Sequence, residues 1–233
     1  MSNMRYLESV HQWFNRPQEV SQRLEEQNAG LTAIEQQFMQ RLPTQGDILD
    51  IGCATGRTSI ALAKMGHAVT GIDVAEQLIA QAQTHANKQD LPISYWVCDP
   101  TLLPFSTHTF DAVLLLKTYC YVPQSSARIA WLNEIARVLR PRGQLILSQY
   151  VIDDIYDSYE PITEENQARF PELADTLEDG DGFTLPSDGE EPGCIHYFLE
   201  ADLRHELTSS VFDVTAFLRE DTLAYYHLTK RGI

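Results

Sequence analysis

The chain has no apolar run approaching the ~20 residues that a membrane-spanning helix needs, and no membrane partner is expected. Its opening, MSNMRYLESVHQWFNRPQEV, lacks the apolar core of a secretory leader, so a cytoplasmic location is the expectation. Cysteine is sparse. Cys53, Cys98, Cys120 and Cys194 show neither paired nor metal-type spacing, which excludes a disulfide framework and a zinc site and fits reduced thiols. Basic residues are also few, 17 against 33 acids, for a net charge of −16. A nucleic-acid partner calls for a basic stripe, and none is present.

The acid is concentrated. Val151 to Gly193 holds fourteen Asp and Glu against one base, Arg169, and includes Pro161, Pro171, Pro186 and Pro192. This stretch reads as an insert rather than as sheet. Before it, strand-like and helix-like segments alternate from about residue 46. DILDI, HAVTGID, ISYWVCD, FDAVLLLK and QLILSQYV read as strands, separated by TSIALAKM, EQLIAQAQTHANK and a helix carrying Ile129, Leu132, Ile135 and Leu139. Ser125 and Ser126 are placed to cap that last helix, and RPRG to stop it. Such alternation implies a mostly parallel sheet with helices on both faces. Residues 1–45 read as a helical cap broken near Asn28 to Gly30. A helical pattern from Tyr197 to Ser210 and two final strands, VFDVTAFLRE and LAYYHLTK, complete the chain. The expected organisation is a cap over 1–45 and one domain over 46–233, with the 151–193 insert as a lid at the sheet's C-terminal edge, where such sheets bind ligands.

The first strand runs into DIGCATG. Gly52 and Gly56 bracket a short loop before a helix N-terminus, a setting that lets a ligand approach the backbone. The dinucleotide fingerprint G-x-G-x-x-G is absent. Instead Asp50 precedes the first glycine by two residues, Asp73 ends the second strand, and Asp99 ends the third before LLPFSTHTFDAVLLL. With EIARVLRPRGQLIL, these residues make the chain resemble the class I S-adenosylmethionine-dependent methyltransferases of small-molecule type. The resemblance is strong over about 46–150 and weak over 194–230.

It implies a Rossmann-like, doubly wound, seven-stranded α/β fold and methyl transfer from S-adenosylmethionine, with S-adenosylhomocysteine as product. Carried over by position, it implies that Gly52, Cys53 and Gly56 admit the amino-acid end of the cofactor, with Asp50 near its ammonium or sulfonium. Asp73 would accept both ribose hydroxyls, Asp99 the adenine amino group, and Val74 and Leu102 would pack on the ring. Lys117 falls where backbone lines the reacting methyl. Arg57 either reaches the cofactor carboxylate or is solvated in the first helical turn. Asp99, followed by Pro100, equally suits a turn. Two departures stand out: Ala54 replaces the family's middle glycine, and Pro100 has no N–H to give the adenine, leaving Asp99 or Thr101 to read it. No catalytic constellation is visible. In-line attack on a sulfonium methyl needs alignment and exclusion of water, with a base only for a protonated nucleophile. Tyr119, Tyr121, Tyr150 and His196 are the candidates for a base near the expected mouth, each reading more readily as a packing or substrate-wall residue. The expected substrate is a small molecule, cationic or neutral given the acidic insert. A methyltransferase acting on a basic protein or peptide, a non-catalytic cofactor binder and a misread dehydrogenase stay open as alternatives.

Overall fold

In a computed structural model, which describes residues 2–153, 178–184 and 193–232, seven strands form one continuous sheet. Along the chain, β1 spans Asp47–Ile51, β2 Ala68–Asp73, β3 Ser94–Val97, β4 Phe110–Leu116 and β5 Leu139–Ile152. The late strands are β6 (Asp181–Thr184), β7 (Gly193–His196), β8 (Phe198–Leu199), β9 (Phe212–Glu220) and β10 (Leu223–Lys230). Their order is β3-β2-β1-β4-β5-β10-β9, and β8 pairs with the end of β5. Pairings among β1 to β5 are parallel, whereas β10 runs antiparallel to both β5 and β9. β4 shows why it is central. Ala112 to Leu115 are all fully buried, as an apolar run covered on both faces must be.

Helices cover the two faces. α4 (Arg57–Lys64), α5 (Glu76–Asn87) and α6 (Ser125–Val138) follow β1, β2 and β4, and α7 (Glu200–Ser209) precedes β9. One core layer gathers Trp131, Leu132 and Ile135 of α6 with Leu203 and Leu207 of α7 against the sheet. The other packs Phe38 and Met39 with Ile60 and Leu62 on the opposite face.

The N-terminal cap consists of α1 (Ser2–Phe14), α2 (Pro17–Glu26) and α3 (Ala33–Met39). Thr32 and Glu35 form a reciprocal capping box at the start of α3, worth on the order of 1 kcal/mol. The cap is bonded to the domain. Gln27 Nε2 donates to the Thr55 carbonyl at 2.9 Å and Thr55 Oγ1 to the Arg23 carbonyl at 3.0 Å. His11 Nε2 meets the Glu76 carboxylate at 2.9 Å.

Three local expectations change. The described ends of the insert are sheet, not irregular chain: β6 and β7 pair antiparallel from Asp181↔His196 to Thr184↔Gly193. The helix expected from Tyr197 starts at Glu200, because Phe198–Leu199 are drawn into pairing with Val151–Ile152. Ser125 and Ser126 lie inside α6 rather than capping it. Gln124 is the N-cap, and the Glu178 carboxylate takes the Ser125 N–H at 2.6 Å and its hydroxyl at 3.1 Å. A distant acid thus supplies the negative charge that a helix N-terminus favours. Residues 154–177 and 185–192, most of the expected lid, lie outside the described residues.

Candidate ligand site at the sheet switch point

Strand order reverses between β1 and β4, and a cavity of about 510 Å³ opens beyond their C-terminal ends. This is where open α/β sheets place ligands. Asp50 and Gly52 of the β1 end, Asp73 and Val74 of the β2 end, and Lys117 and Thr118 of the β4 end all line it. The cap covers it with Val10, Phe14, Gln22, Arg23 and Glu26. At the far side stand Tyr121, Gln149, Tyr150, Ile195, His196 and Tyr197.

Gly52 has φ +70°, and a Cβ there would lie 2.4 Å from Thr118 Oγ1, so both conformation and space demand glycine. Cys53 lines the cavity beside it, its thiol pKa pushed well up by burial. Ala54 also holds a left-handed φ of 49°, an uncommon state for a residue with a Cβ. Its N–H, donated to Asp73 Oδ2 at 2.9 Å, helps hold it there. Gly56, φ +82°, does not line the cavity. Its missing Cβ makes room for Tyr95, whose hydroxyl would otherwise lie 2.3 Å away.

Asp50 is 2% exposed, and its carboxyl is pushed up to about 6. Burial is the chief cause, opposed by the Ser59 hydroxyl, which donates to Oδ2 at 2.6 Å, and by the Arg57 charge. Asp73 is also raised by burial, although it accepts N–H bonds from Ala54 and, at 3.0 Å, from Ala75. Lys117 has φ 56°, and burial followed by the nearby Arg57 charge lowers its pKa.

Arg57 lines the cavity but is neither solvated nor unengaged. Its guanidinium forms two 2.7 Å bonds with the buried Glu35 and another with the Gly30 carbonyl. Burial works to raise Glu35, but Arg57 and the Thr32 N–H outweigh it and hold the carboxyl low. Arg57 therefore ties the cap to the glycine loop.

The third-strand group divides. Pro100 lines the cavity, and its carbonyl accepts the Trp131 indole N–H. Asp99, Thr101 and Leu102 do not line it. Asp99 Oδ1 accepts both the Thr101 N–H at 2.8 Å and its hydroxyl at 2.6 Å, closing a local turn. Leu102 is 73% exposed, so it does not pack on a ligand in this cavity. Of the expected mouth residues, Tyr121, Tyr150 and His196 line the cavity, but Tyr119 is fully buried and donates to Glu206 at 2.9 Å.

Sequence reasoning missed the residues brought in by the cap and the Asp181–His196 pair. The former carried no motif, and the latter joins residues fifteen apart across a hairpin. Arg23, Arg57 and Lys117 balance Glu26, Asp50 and Asp73 in the wall. Among the described residues, no helix is long and apolar enough to cross a membrane, and no cluster of three acids, histidines or cysteines is placed to hold a metal.

Comparison with known proteins agrees with this geometry. Residues 48–143 match a family described as "Methyltransferase domain". The ubiquinone biosynthesis O-methyltransferase of Coxiella burnetii is 37% identical over 101 residues, 43% of this chain and 42% of that protein. The match thus spans less than half of that relative's length. The 27-O-demethylrifamycin SV methyltransferase of Amycolatopsis mediterranei is 28% identical over 211 residues, covering 79% and 76% of the two chains. The crystal structure of a SAM-dependent methyltransferase from Methanosarcina mazei superposes with a TM-score of 0.69 at 25% identity, covering 86% of this chain and 98% of that one. Residues 48–143 thus resemble a methyltransferase domain, and the fold resembles that of a SAM-dependent methyltransferase of known structure.

Proposed function

We propose that the protein binds S-adenosylmethionine in this cavity and transfers its methyl group to a small molecule. The observation that carries the reading is the pair of buried acids, Asp50 and Asp73, at the ends of adjacent strands on either side of the Gly52 loop. The donor set suits the cofactor. Asp50, an acid that burial makes costly to ionise, gains from a cationic partner such as the ammonium or sulfonium. Asp73 accepts the Ala54 N–H on one oxygen and the Ala75 N–H on the other, with the Val74 N–H beside them, and as a carboxylate it remains an acceptor for the ribose hydroxyls. Ala54 and Gly52 bring backbone to the wall, and Val74 and Pro100 offer apolar surface for the base. Asp99, Thr101 and Leu102 have no part in this assignment. Bound there, the cofactor supplies an electrophilic methyl on a good leaving group.

The chain's own contribution is alignment and dryness. α1 and α2 close the cavity, and a covered space of about 510 Å³ favours a small acceptor over a protein segment. The relatives named as O-methyltransferases support oxygen as the nucleophile. The balanced wall gives no support to a preference for cationic substrates. The organisation as a 1–45 cap and a 46–233 domain belongs to the same reading, with the cap as part of the site. Incubation with methyl-labelled S-adenosylmethionine and a low-molecular-weight cell extract tests it. Label should move to an extract component and not to protein. Label found only on protein would contradict the small-molecule assignment.

A further inference from the structure

At the far side of the cavity stands a pair with no role in holding a nucleotide. His196 of β7 lines the cavity, and its Nδ1 lies 2.6 Å from Asp181 Oδ1 of β6. The two side chains are 6% and 3% exposed. Asp181 is fixed in turn. Its Oδ2 accepts the Glu178 N–H at 2.9 Å, and the Arg128 guanidinium stands 4.0 Å from Oδ1. Arg128 is anchored by Glu206 at 2.6 Å, on which the Tyr119 hydroxyl also rests.

With an N–H on one oxygen and a guanidinium beside the other, Asp181 acts as an acceptor toward the ring. The neutral imidazole then carries its proton on Nδ1 and presents Nε2 as a base. The Cε1–Nε2 edge lies close to Gly180, where a Cβ would come within 2.9 Å of Cε1 and 3.3 Å of Nε2, so only glycine leaves room for the ring. A histidine that only stapled the β6–β7 hairpin would need no place in the cavity wall. Here it shares that wall with Tyr121, Tyr150 and Ile195, an apolar and aromatic surface suited to a flat ring.

We propose that His196 is the general base of the methyl transfer, with Asp181 as its positioning residue, and that the acceptor is a phenolic or enolic hydroxyl lying against Tyr121 and Tyr150. This rests on the methyl-transfer reading above. The substrate O–H bond breaks and its proton goes to Nε2. The oxygen's electron pair forms the new O–CH3 bond, and the former C–S pair stays on sulfur as a neutral thioether. The imidazolium faces Asp181 and returns its proton to water when product leaves. The titratable groups around the ring are Asp181, Glu178, Arg128, Glu206 and Tyr119 on the protein side, and Cys120, Tyr121 and Tyr150 on the cavity side. Helix α1, packed on β7, carries Glu8 and His11, the latter engaged with Glu76.

The test reads the ring first, in the full chain labelled with ¹⁵N-histidine, using long-range ¹H–¹⁵N spectra from pH 5.5 to 9. His196→Asn assigns the signal and Asp181→Asn removes the positioning charge. Neutral His196 should be protonated on Nδ1 alone, and Asp181→Asn should admit the other tautomer. A neutral His196 protonated on Nε2, or a tautomer unmoved by Asp181→Asn, overturns the proposal. In the extract assay, His196→Asn should keep its S-adenosylhomocysteine affinity within about twofold yet lose roughly 10²–10⁴-fold in turnover. Parental turnover in folded His196→Asn also overturns the proposal. A wild type that binds no S-adenosylhomocysteine defeats the methyl-transfer reading instead, and the ring measurement still decides the role of Asp181.

Discussion

Asp50 is a buried acid held at a cost to stability. Its folded-state pKa is raised from 3.8 to about 6, chiefly by burial. Between those values the folded protein binds more protons than the unfolded chain, so this group's contribution to stability falls as pH rises from about 4 to 6. Above pH 6 the full cost is present, on the order of 3 kcal/mol for a shift of two units. Asp50→Asn keeps an acceptor for Ser59 and removes the charge. Its stability relative to wild type should therefore be near zero at pH 4 and rise to about 2–3 kcal/mol in the variant's favour at pH 7.5, read from urea midpoints at the two pH values. A difference that does not change with pH would show that Asp50 is not held in this environment. Proteins commonly keep such destabilised groups where a ligand needs them.

At the scale of elements, α6 and α7 meet through a buried ion pair. Arg128, 1% exposed, gives three of its contacts to Glu206, itself 6% exposed, and a fourth to the Val122 carbonyl. Breaking such a pair on one side strands the other charge. Arg128→Met should cost about 3–5 kcal/mol, and adding Glu206→Gln should recover most of that by removing the orphaned charge. A double variant no more stable than the single one would show that Arg128 acts through packing on Phe198, or through Asp181 and Glu178 at 4.0 and 3.7 Å, rather than through Glu206. This pair was not legible in the sequence. Arg128 lies four and seven residues before Leu132 and Ile135, on the buried face of α6, but a charged side chain there reads as solvated, and its partner is 78 residues away. The strands were legible because the cause is local. DILDI, HAVTGID and FDAVLLLK are short apolar runs bounded by turn residues, and each formed the strand expected. Capping of α6 was not, because Glu178 arrives from outside the segment.

For the whole molecule, the mostly parallel sheet and a ligand cavity at its C-terminal edge followed from the alternation of segments and the DIGCATG loop, and seven strands from the family resemblance. The site's walls were half visible. Residues at strand ends could be placed from their motifs, but the cap's Phe14, Arg23 and Glu26 depend on how three helices fold back over the sheet. Among the described residues, three cations and three acids line the pocket, while most of the acidic insert, on which the expectation of a cationic or neutral substrate rests, lies outside them. The central claim is that Asp50, Gly52 and Asp73 form an S-adenosylmethionine site, and calorimetry on wild type and Asp73→Ala tests it most directly. Wild type should bind S-adenosylhomocysteine and not NAD. Folded Asp73→Ala should bind at least tenfold more weakly, the loss of about 1.4 kcal/mol or more from hydrogen bonds to a charged acceptor. Binding of NAD without S-adenosylhomocysteine, or equal S-adenosylhomocysteine affinity in the folded variant, would contradict the account.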